Sequence, residues 1–233
     1  MKRIASVLSL MCLSACGGGG GSMSATPPPT TFDLAAAVAN VARNGLSANM
    51  TISGTVNGNA VTGTAAFTEA PAVAATFNGM AALAQTTTVT GTVDAGGQHV
   101  PYATTVVGYT TTDHAVLGQS TADEYDVVQT PFSYPSSVVA GSAEVLGTFS
   151  RYTDSTMSVS VGTIDASYVV KADPTNSNAV IVQLIDRYFD TGHVNVANSQ
   201  TNYVVTITGG VSLQSASVQS IAPDTADLTF TAQ

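Results

Sequence analysis

Three histidines are the side chains that could act as a general acid or base near neutral pH: His99, His114 and His193. Each of them stands beside turn-forming residues rather than inside an apolar strand. No His-x-x-x-His spacing indicates a zinc site. We therefore predict exposed loop histidines with no catalytic or metal-binding role.

Two groups of oxygen-bearing side chains could supply ligands to calcium. Both lie in predicted loops: Asp123, Glu124 and Asp126; and Asp173, Asn176 and Asn178. Neither group has the alternating ligand positions around a glycine that are typical of a calcium-binding loop. Solvated turns are the favoured interpretation, and we predict no metal site and no cofactor.

A third feature, Asp190-Thr191-Gly192, resembles the active-site loop of aspartic proteases. That chemistry needs two carboxyl groups sharing a proton, and the sequence has no second copy, so a hairpin turn is favoured. Ser167 precedes Lys171 by four residues rather than the three of a Ser-x-x-Lys motif. We predict no catalytic residues and favour a non-enzymatic protein.

The first fifteen residues have the pattern of an export signal. Lys2 and Arg3 form a cationic start, and an apolar stretch of about ten residues follows before the glycines that begin at Gly17. A membrane-spanning helix needs about 20 apolar residues. The segment is therefore predicted to be a signal peptide at 1–15 rather than a membrane span.

The segment ends in Leu13-Ser14-Ala15-Cys16, which resembles the lipobox of bacterial lipoproteins. The resemblance implies cleavage before Cys16, a diacylglyceryl group on its sulfur and a further acyl chain, such as palmitate, on the new amino group. Two or more chains give stable anchoring where a single chain is marginal. Gly17 in place of Asp implies the outer membrane, on either the periplasmic or the surface face. The expected partner is thus the membrane, through the anchor.

Residues 16–31 are predicted to be the lipidated cysteine and a flexible tether, because glycines are followed there by small polar residues and prolines. Cys12 leaves with the signal peptide and Cys16 carries lipid. The mature domain then has no thiol, and its fold depends on packing without a disulfide.

The mature domain is strongly acidic. After Cys16 the chain has four basic residues against 15 acidic ones, a formal net charge of −11. Binding to nucleic acid requires clustered Lys and Arg, so the charge argues against a nucleic-acid partner. Because 44% of the residues are hydrophobic, the remaining chain has enough apolar material to form a core.

One helix is predicted at 32–44. Thr31 is its expected N-cap, apolar residues recur at helical spacing, Arg43 lies in the last turn and Gly45 ends the helix. A helix of this length is expected to cover one side of a sheet.

The rest of the chain has the two-residue alternation of β-strands, with Asn57-Gly58 and Asn78-Gly79 as hairpin turns. Strands are predicted at 81–93, 99–109, 145–152, 157–171, 179–189, 194–207, 211–221 and 228–232. Repeated Gly-Thr pairs, as at Gly54 and Gly63, are expected to mark bends or bulges. Residues 32–140 are predicted to hold the helix and hairpins, and 141–233 an antiparallel meander.

These patterns predict an all-β fold, an antiparallel meander forming a sandwich or a curled half-barrel with one short N-terminal helix. Three functions are open at this point. The first is a binding or structural module with an unidentified protein partner. The second is a carrier of a hydrophobic ligand or lipid, and the third is a hydrolase using carboxylates distant in sequence.

Overall fold

The structure of the protein is a computed structural model that describes residues 29–221 and 225–233. The predicted signal peptide, Cys16 and most of the tether lie outside the described residues. Within the described ranges, no helix combines the length and apolar character needed to cross a membrane.

The described residues form one helix and thirteen strands. The helix α1 spans Leu34–Asn44. The strands are β1 (Leu46–Val56), β2 (Asn59–Glu69), β3 (Val73–Phe77), β4 (Met80–Ala95), β5 (Gln98–Thr110), β6 (Val116–Ser120), β7 (Tyr125–Phe132), β8 (Ala143–Tyr152), β9 (Ser160–Ala172), β10 (Ala179–Phe189), β11 (Asn195–Thr206), β12 (Val211–Ser220) and β13 (Ala226–Ala232).

Twelve of these strands form a closed antiparallel barrel. The last strand, β13, pairs with β1, and β2 pairs with β4, for example through Phe67 and Val89. The short strand β3 pairs only with the start of β4. The all-β, antiparallel prediction with one short helix is confirmed. The observed architecture is more specific than the predicted sandwich or curled half-barrel, because the pairing of β2 with β4 closes the sheet into a ring.

Alternation along each strand separates the inside of the barrel from its outside. In β1, Met50 and Ile52 are buried, whereas Asn49, Thr51 and Ser53 are exposed. Successive side chains of a strand point to opposite faces, so the apolar residues of β1 face the interior and its polar residues face outward. The same strand therefore supplies both the core and the polar outer surface.

Residues 111–144, the least regular part of the sequence, contain β6, β7 and the loop that joins β7 to β8. Both strands are short, and each pairing on either side of β6 contains a register shift. Val128 of β7 pairs with Phe149 of β8. The sequence predicts two regions of the chain that meet at Gly141. The strands before and after this residue nevertheless belong to one sheet.

The helix α1 begins two residues later than expected. Its N-cap is Asp33, whose side chain accepts a hydrogen bond of 2.8 Å from the backbone N–H of Ala36. The prediction of Thr31 as the cap was wrong, because the Asp33 carboxylate is placed to satisfy this free N–H group and is favoured further by the helix dipole. The end at Gly45 is confirmed, with a φ of 71° that suits glycine.

Both predicted Asn-Gly turns are confirmed. Asn57 and Gly58 have φ values of 49° and 78°, and Asn78 and Gly79 have 49° and 77°. Two consecutive positive φ values define the type I′ turn, whose twist matches that of the flanking strands. These turns create the β1–β2 and β3–β4 hairpins.

Glycines of the Gly-Thr pairs lie where neighbouring strands approach most closely. A Cβ on Gly63 would be 2.1 Å from the carbonyl oxygen of Thr92, and a Cβ on Gly91 would be 2.1 Å from that of Thr64. Both positions belong to the β2–β4 pair that closes the barrel. The register is continuous there, so these glycines permit a bend rather than a bulge.

We expect Gly63→Ala to lower the free energy of unfolding by about 2 kcal/mol, because the new methyl group would push apart the closing strands. Gly108→Ala is the matched control, since its Cβ would meet only the carbonyl oxygen of Gln85, at 3.9 Å. Urea unfolding of both variants measures the difference. Equal stability of the two variants would contradict the conclusion that β2 and β4 pair closely at Gly63.

Candidate ligand-binding cavity

A cavity of about 300 Å³ lies inside the barrel at the end covered by α1. The inward side chains of an eight-stranded barrel can just fill its interior, and this ring has twelve strands. Several inward positions also hold small residues, among them Gly108 and Ala166. The wide ring and the small side chains leave space that the hydrophobic cores around it do not fill.

The helix forms one wall of the cavity. Four of its apolar side chains line the space: Leu34, Ala37, Val38 and Val41. The amide of Asn40 donates a hydrogen bond of 2.8 Å to the carbonyl oxygen of Gly209 in the β11–β12 turn. The amide of Gln85, on β4, donates to the carbonyl oxygens of Val41 (3.2 Å) and Ala70 (3.1 Å). Hydrogen bonds made by one side chain of the helix and one of the barrel thus hold the helix in place over the cavity.

Glu69 is the carboxyl group next to the helix. It is the last residue of β2 and follows the inward positions Ala65 and Phe67, so it also faces the interior and lines the cavity. Burial raises the pKa of Glu69 from 4.5 to about 7. Its Oε2 atom is buried and has no hydrogen-bond partner among the described residues.

Asp186 is the second carboxyl group that lines the cavity. It follows the inward-facing Val182 and Leu184 on β10. One carboxylate oxygen accepts a hydrogen bond of 3.4 Å from the hydroxyl of Ser199. Burial raises the pKa of Asp186 to about 6, and the nearby charge of Asp126 adds to the rise, while the Ser199 bond opposes it.

Two tyrosines complete the polar part of the lining. Tyr134 follows Phe132, whose ring contacts it edge-on with the centroids 6.2 Å apart, and Tyr203 lies on β11. Both side chains are half-buried and border the cavity, and burial raises the pKa of each hydroxyl. The charges of Glu69 and Asp186 raise both pKa values further. Neither hydroxyl has a hydrogen-bond partner within the described ranges.

Arg151 is a buried basic residue that contacts an acidic and an aromatic side chain. Its Nε donates to the Glu124 carboxylate at 3.1 Å, and its guanidinium carbon lies 5.2 Å from the ring centroid of Tyr188. Asp126 pairs with Arg151 in the strand register, and its Oδ2 accepts a hydrogen bond of 2.9 Å from the amide of Gln119. Its buried Oδ1 has no partner in the described part of the chain.

The charge of Asp126 contributes to the raised pKa of Asp186. Burial is the largest cause for both, and both pKa values rise to about 6. An acid and base pair is recognised by pKa values that are pushed apart. Here both values move in the same direction, so the carboxyl pair lacks the electrostatic pattern expected of the hydrolase alternative.

The Asp190-Thr191-Gly192 segment forms the turn between β10 and β11, as the favoured interpretation stated. The Asp190 carboxylate accepts hydrogen bonds from the backbone N–H groups of Gly192 (2.8 Å) and Val194 (2.9 Å). Ser167 donates to the carbonyl oxygen of Ile185 at 3.5 Å, and Lys171 is exposed. Asp190 and Lys171 are not among the residues that line the cavity, whereas Ser167 is. Its hydroxyl is engaged in the strand contact with Ile185.

The histidines lie outside the cavity lining. His193 is an exposed turn residue, as predicted, whereas His99 is exposed on β5 and pairs with Asp94 across the β4–β5 hairpin. His114 occupies the β5–β6 turn with a φ of 63° and is half-buried, so the prediction of an exposed loop residue was wrong for it. Its Nδ1 atom has no partner among the described residues.

The acidic cluster at 123–126 is only partly brought together, since Glu124 acts on the pKa of Asp126 whereas Asp123 lies apart. Asp123 is exposed, Glu124 binds Arg151, and Asp126 points into the barrel. In the second cluster, Asp173 accepts a hydrogen bond of 2.8 Å from the backbone N–H of Thr175. Across the described ranges, no three His, Cys, Asp or Glu side chains are grouped so that they could hold a metal ion.

Sequence reasoning missed Glu69, Asp186, Tyr134 and Tyr203 as lining residues. The positions of the two acids could have been inferred from the alternation of inward and outward side chains along their strands. Glu69 continues the phase of Ala65 and Phe67, and Asp186 continues that of Val182 and Leu184. An acidic residue in the inward phase of an apolar strand indicates a buried carboxyl group, and it is the feature to search for in such chains.

Comparison of the chain with known protein families, with curated proteins and with solved structures finds no match. The functional argument for this chain therefore rests on the geometry and chemistry of its own residues.

Proposed function

We propose that the protein is a non-enzymatic envelope lipoprotein that binds a small, mainly apolar molecule inside its barrel. The cavity under α1 is the observation that carries this proposal. Ligand sites in proteins measure about 300–1,000 Å³ and combine apolar walls with a few polar groups. Both descriptions fit this cavity.

The composition of the lining supports a ligand with an apolar body. The helix contributes only aliphatic side chains, and the strands add further ones such as Val106 and Leu184. The few polar groups, chiefly Glu69 and Asp186, stand at separate points of the wall. An apolar body would contact most of the lining, and these polar groups would fix its orientation.

The anchor proposed at Cys16 agrees with this role. The described chain enters the barrel through α1, at the cavity end, and the predicted tether at 16–31 precedes it. A flexible chain of this length has a root-mean-square span of about 20 Å. The cavity would then stay close to the bilayer, from which an apolar ligand can be exchanged.

Filling the cavity should abolish uptake of an apolar probe. We expect the neutral fluorophore N-phenyl-1-naphthylamine to bind the purified protein with enhanced fluorescence, and Val106→Phe to weaken binding at least about tenfold, because the larger ring occupies ligand space. Val106 lines the cavity.

Val107→Phe provides the matched control, because neighbouring side chains of a strand point to opposite faces. It should retain binding close to that of the unchanged protein. Fluorescence titration, with circular dichroism to verify folding, measures both variants. Binding that is equal in the two variants, or absent from the unchanged protein, would overturn the proposed function.

A further inference from the structure

The polar groups of the cavity form an arrangement that selects among apolar ligands. Glu69, Tyr134 and Tyr203 line the same space, and the Glu69 carboxylate acts electrostatically on both phenol groups. We propose, on the basis of the proposed function, that the ligand is an amphiphilic amine whose ammonium group binds the Glu69 carboxylate beside the Tyr134 and Tyr203 rings. A fatty acid or another anion is then disfavoured.

The charges of the lining favour a cation. Glu69 and Asp186 both line the cavity, and none of the described lining residues is Lys or Arg. The closest buried cation, Arg151, is already bound to Glu124 and packs on Tyr188. Because two carboxyl groups face the same apolar space without a basic partner, an entering ammonium group would supply the missing positive charge.

The described part of the cavity also has no hydrogen-bond donor for one oxygen of the Glu69 carboxyl group. Oε2 of Glu69 is buried without a partner among the described residues. An ammonium group has three N–H donors and no acceptor, so it could satisfy that oxygen directly. A buried acceptor without a partner costs about 1–3 kcal/mol, and ligand binding would remove this cost.

The tyrosines are suited to the same ligand. The face of a phenol ring attracts a cation within about 6 Å, and the attraction increases when water is excluded. Tyr134 and Tyr203 are both half-buried and line the cavity beside aliphatic side chains. They would therefore stabilise the ammonium group or the carbon next to it, while the aliphatic lining contacts the apolar chain.

Three probes of equal chain length test the proposal: 1-octylamine, 1-octanol and octanoate, titrated into the purified protein by calorimetry at neutral pH. We expect octylamine to bind about tenfold more tightly than octanol. Octanoate should bind most weakly, because its charge has the sign of Glu69 and Asp186.

Glu69→Gln separates recognition of the amine from general binding to the cavity. The variant should lose about tenfold in octylamine affinity and much less in octanol affinity, because the glutamine amide can still form a hydrogen bond with a hydroxyl group but carries no charge. Asp123→Asn, at an exposed position, is the control and should change neither.

Proton release gives an independent readout. Glu69 is mostly protonated at about pH 6, since burial raises its pKa to about 7, and an ammonium group must ionise it. Calorimetry in buffers of different ionisation enthalpy should therefore detect a proton released by octylamine and none by octanol, with the release lost in Glu69→Gln.

Two results would overturn the inference. Equal affinity for octylamine and octanol, together with an unchanged Glu69→Gln variant, would reject amine recognition and leave the proposed apolar binding site standing. Failure of all three probes and of N-phenyl-1-naphthylamine would reject both proposals.

Discussion

Replacing Cys16 with serine should transfer essentially all of the protein from the membrane fraction to the soluble fraction. The serine hydroxyl cannot form the thioether that the lipobox resemblance implies, so neither the diacylglyceryl group nor the later N-acyl chain would be added. Each buried CH2 contributes about 0.8 kcal/mol to membrane binding. Loss of all the chains therefore removes the anchor completely. Fractionation followed by intact-mass measurement tests this prediction.

The matched control is Cys12→Ser, because Cys12 lies inside the predicted signal peptide and leaves with it. This variant should remain in the membrane fraction and have the same mature mass as the unchanged protein. A Cys16→Ser protein that stays in the membrane with an unaltered mass increment would refute the anchor.

The stability of the ligand-free barrel should fall as the pH rises from about 4 to 8. Burial raises the pKa of Glu69 to about 7 and those of Asp126 and Asp186 to about 6. Between the unfolded and folded pKa values, the folded state binds more protons than the unfolded state. The contribution of these groups to the free energy of unfolding is therefore fully present below about pH 4. It is lost as each carboxyl group ionises in the folded barrel. Urea unfolding across this pH range measures the decline.

Glu69→Gln should remove the part of this decline that belongs to Glu69. The amide stays neutral, so the variant should exceed the unchanged protein in free energy of unfolding by about 2 kcal/mol at pH 8, with little difference at pH 4. Asp123→Asn, which replaces an exposed carboxylate, should leave the profile unchanged. Parallel profiles for Glu69→Gln and the unchanged protein would show that this carboxyl group is not buried in the way described.

Local patterns were sufficient to predict most individual elements. Asn57-Gly58 and Asn78-Gly79 require positive φ at adjacent residues, and both form the expected turns. The strand predicted at 179–189 is observed with those bounds as β10. Alternation and turn chemistry are properties of neighbouring residues, so one sequence contains enough information to locate them.

Closure of the barrel could not be predicted in this way. It depends on β2 pairing with β4 and on β13 pairing with β1, which join segments distant in sequence. The Gly-Thr pairs, which include Gly63 and Gly91, were predicted to mark bends or bulges, yet nothing local identified Thr92 and Thr64 as the backbone groups that these glycines approach. Pairing between distant strands is decided by the packing of the whole sheet.

The cavity was missed for a related reason. Histidines and loop acids have chemistry that is visible in the sequence, whereas Glu69 and Tyr203 become neighbours only when the ring closes. The carrier hypothesis did anticipate a helix over a curled sheet. It did not predict a ring of twelve strands, whose width leaves the interior space.

Native mass spectrometry of the intact protein, extracted from its own envelope in mild detergent, tests the central claim most directly. We predict a mass above that of the chain acylated at Cys16, and release of a small apolar amine when the protein is denatured. A chain of the acylated mass alone, in a sample that also forms no complex with added octylamine or N-phenyl-1-naphthylamine, would contradict a ligand-binding role for the barrel.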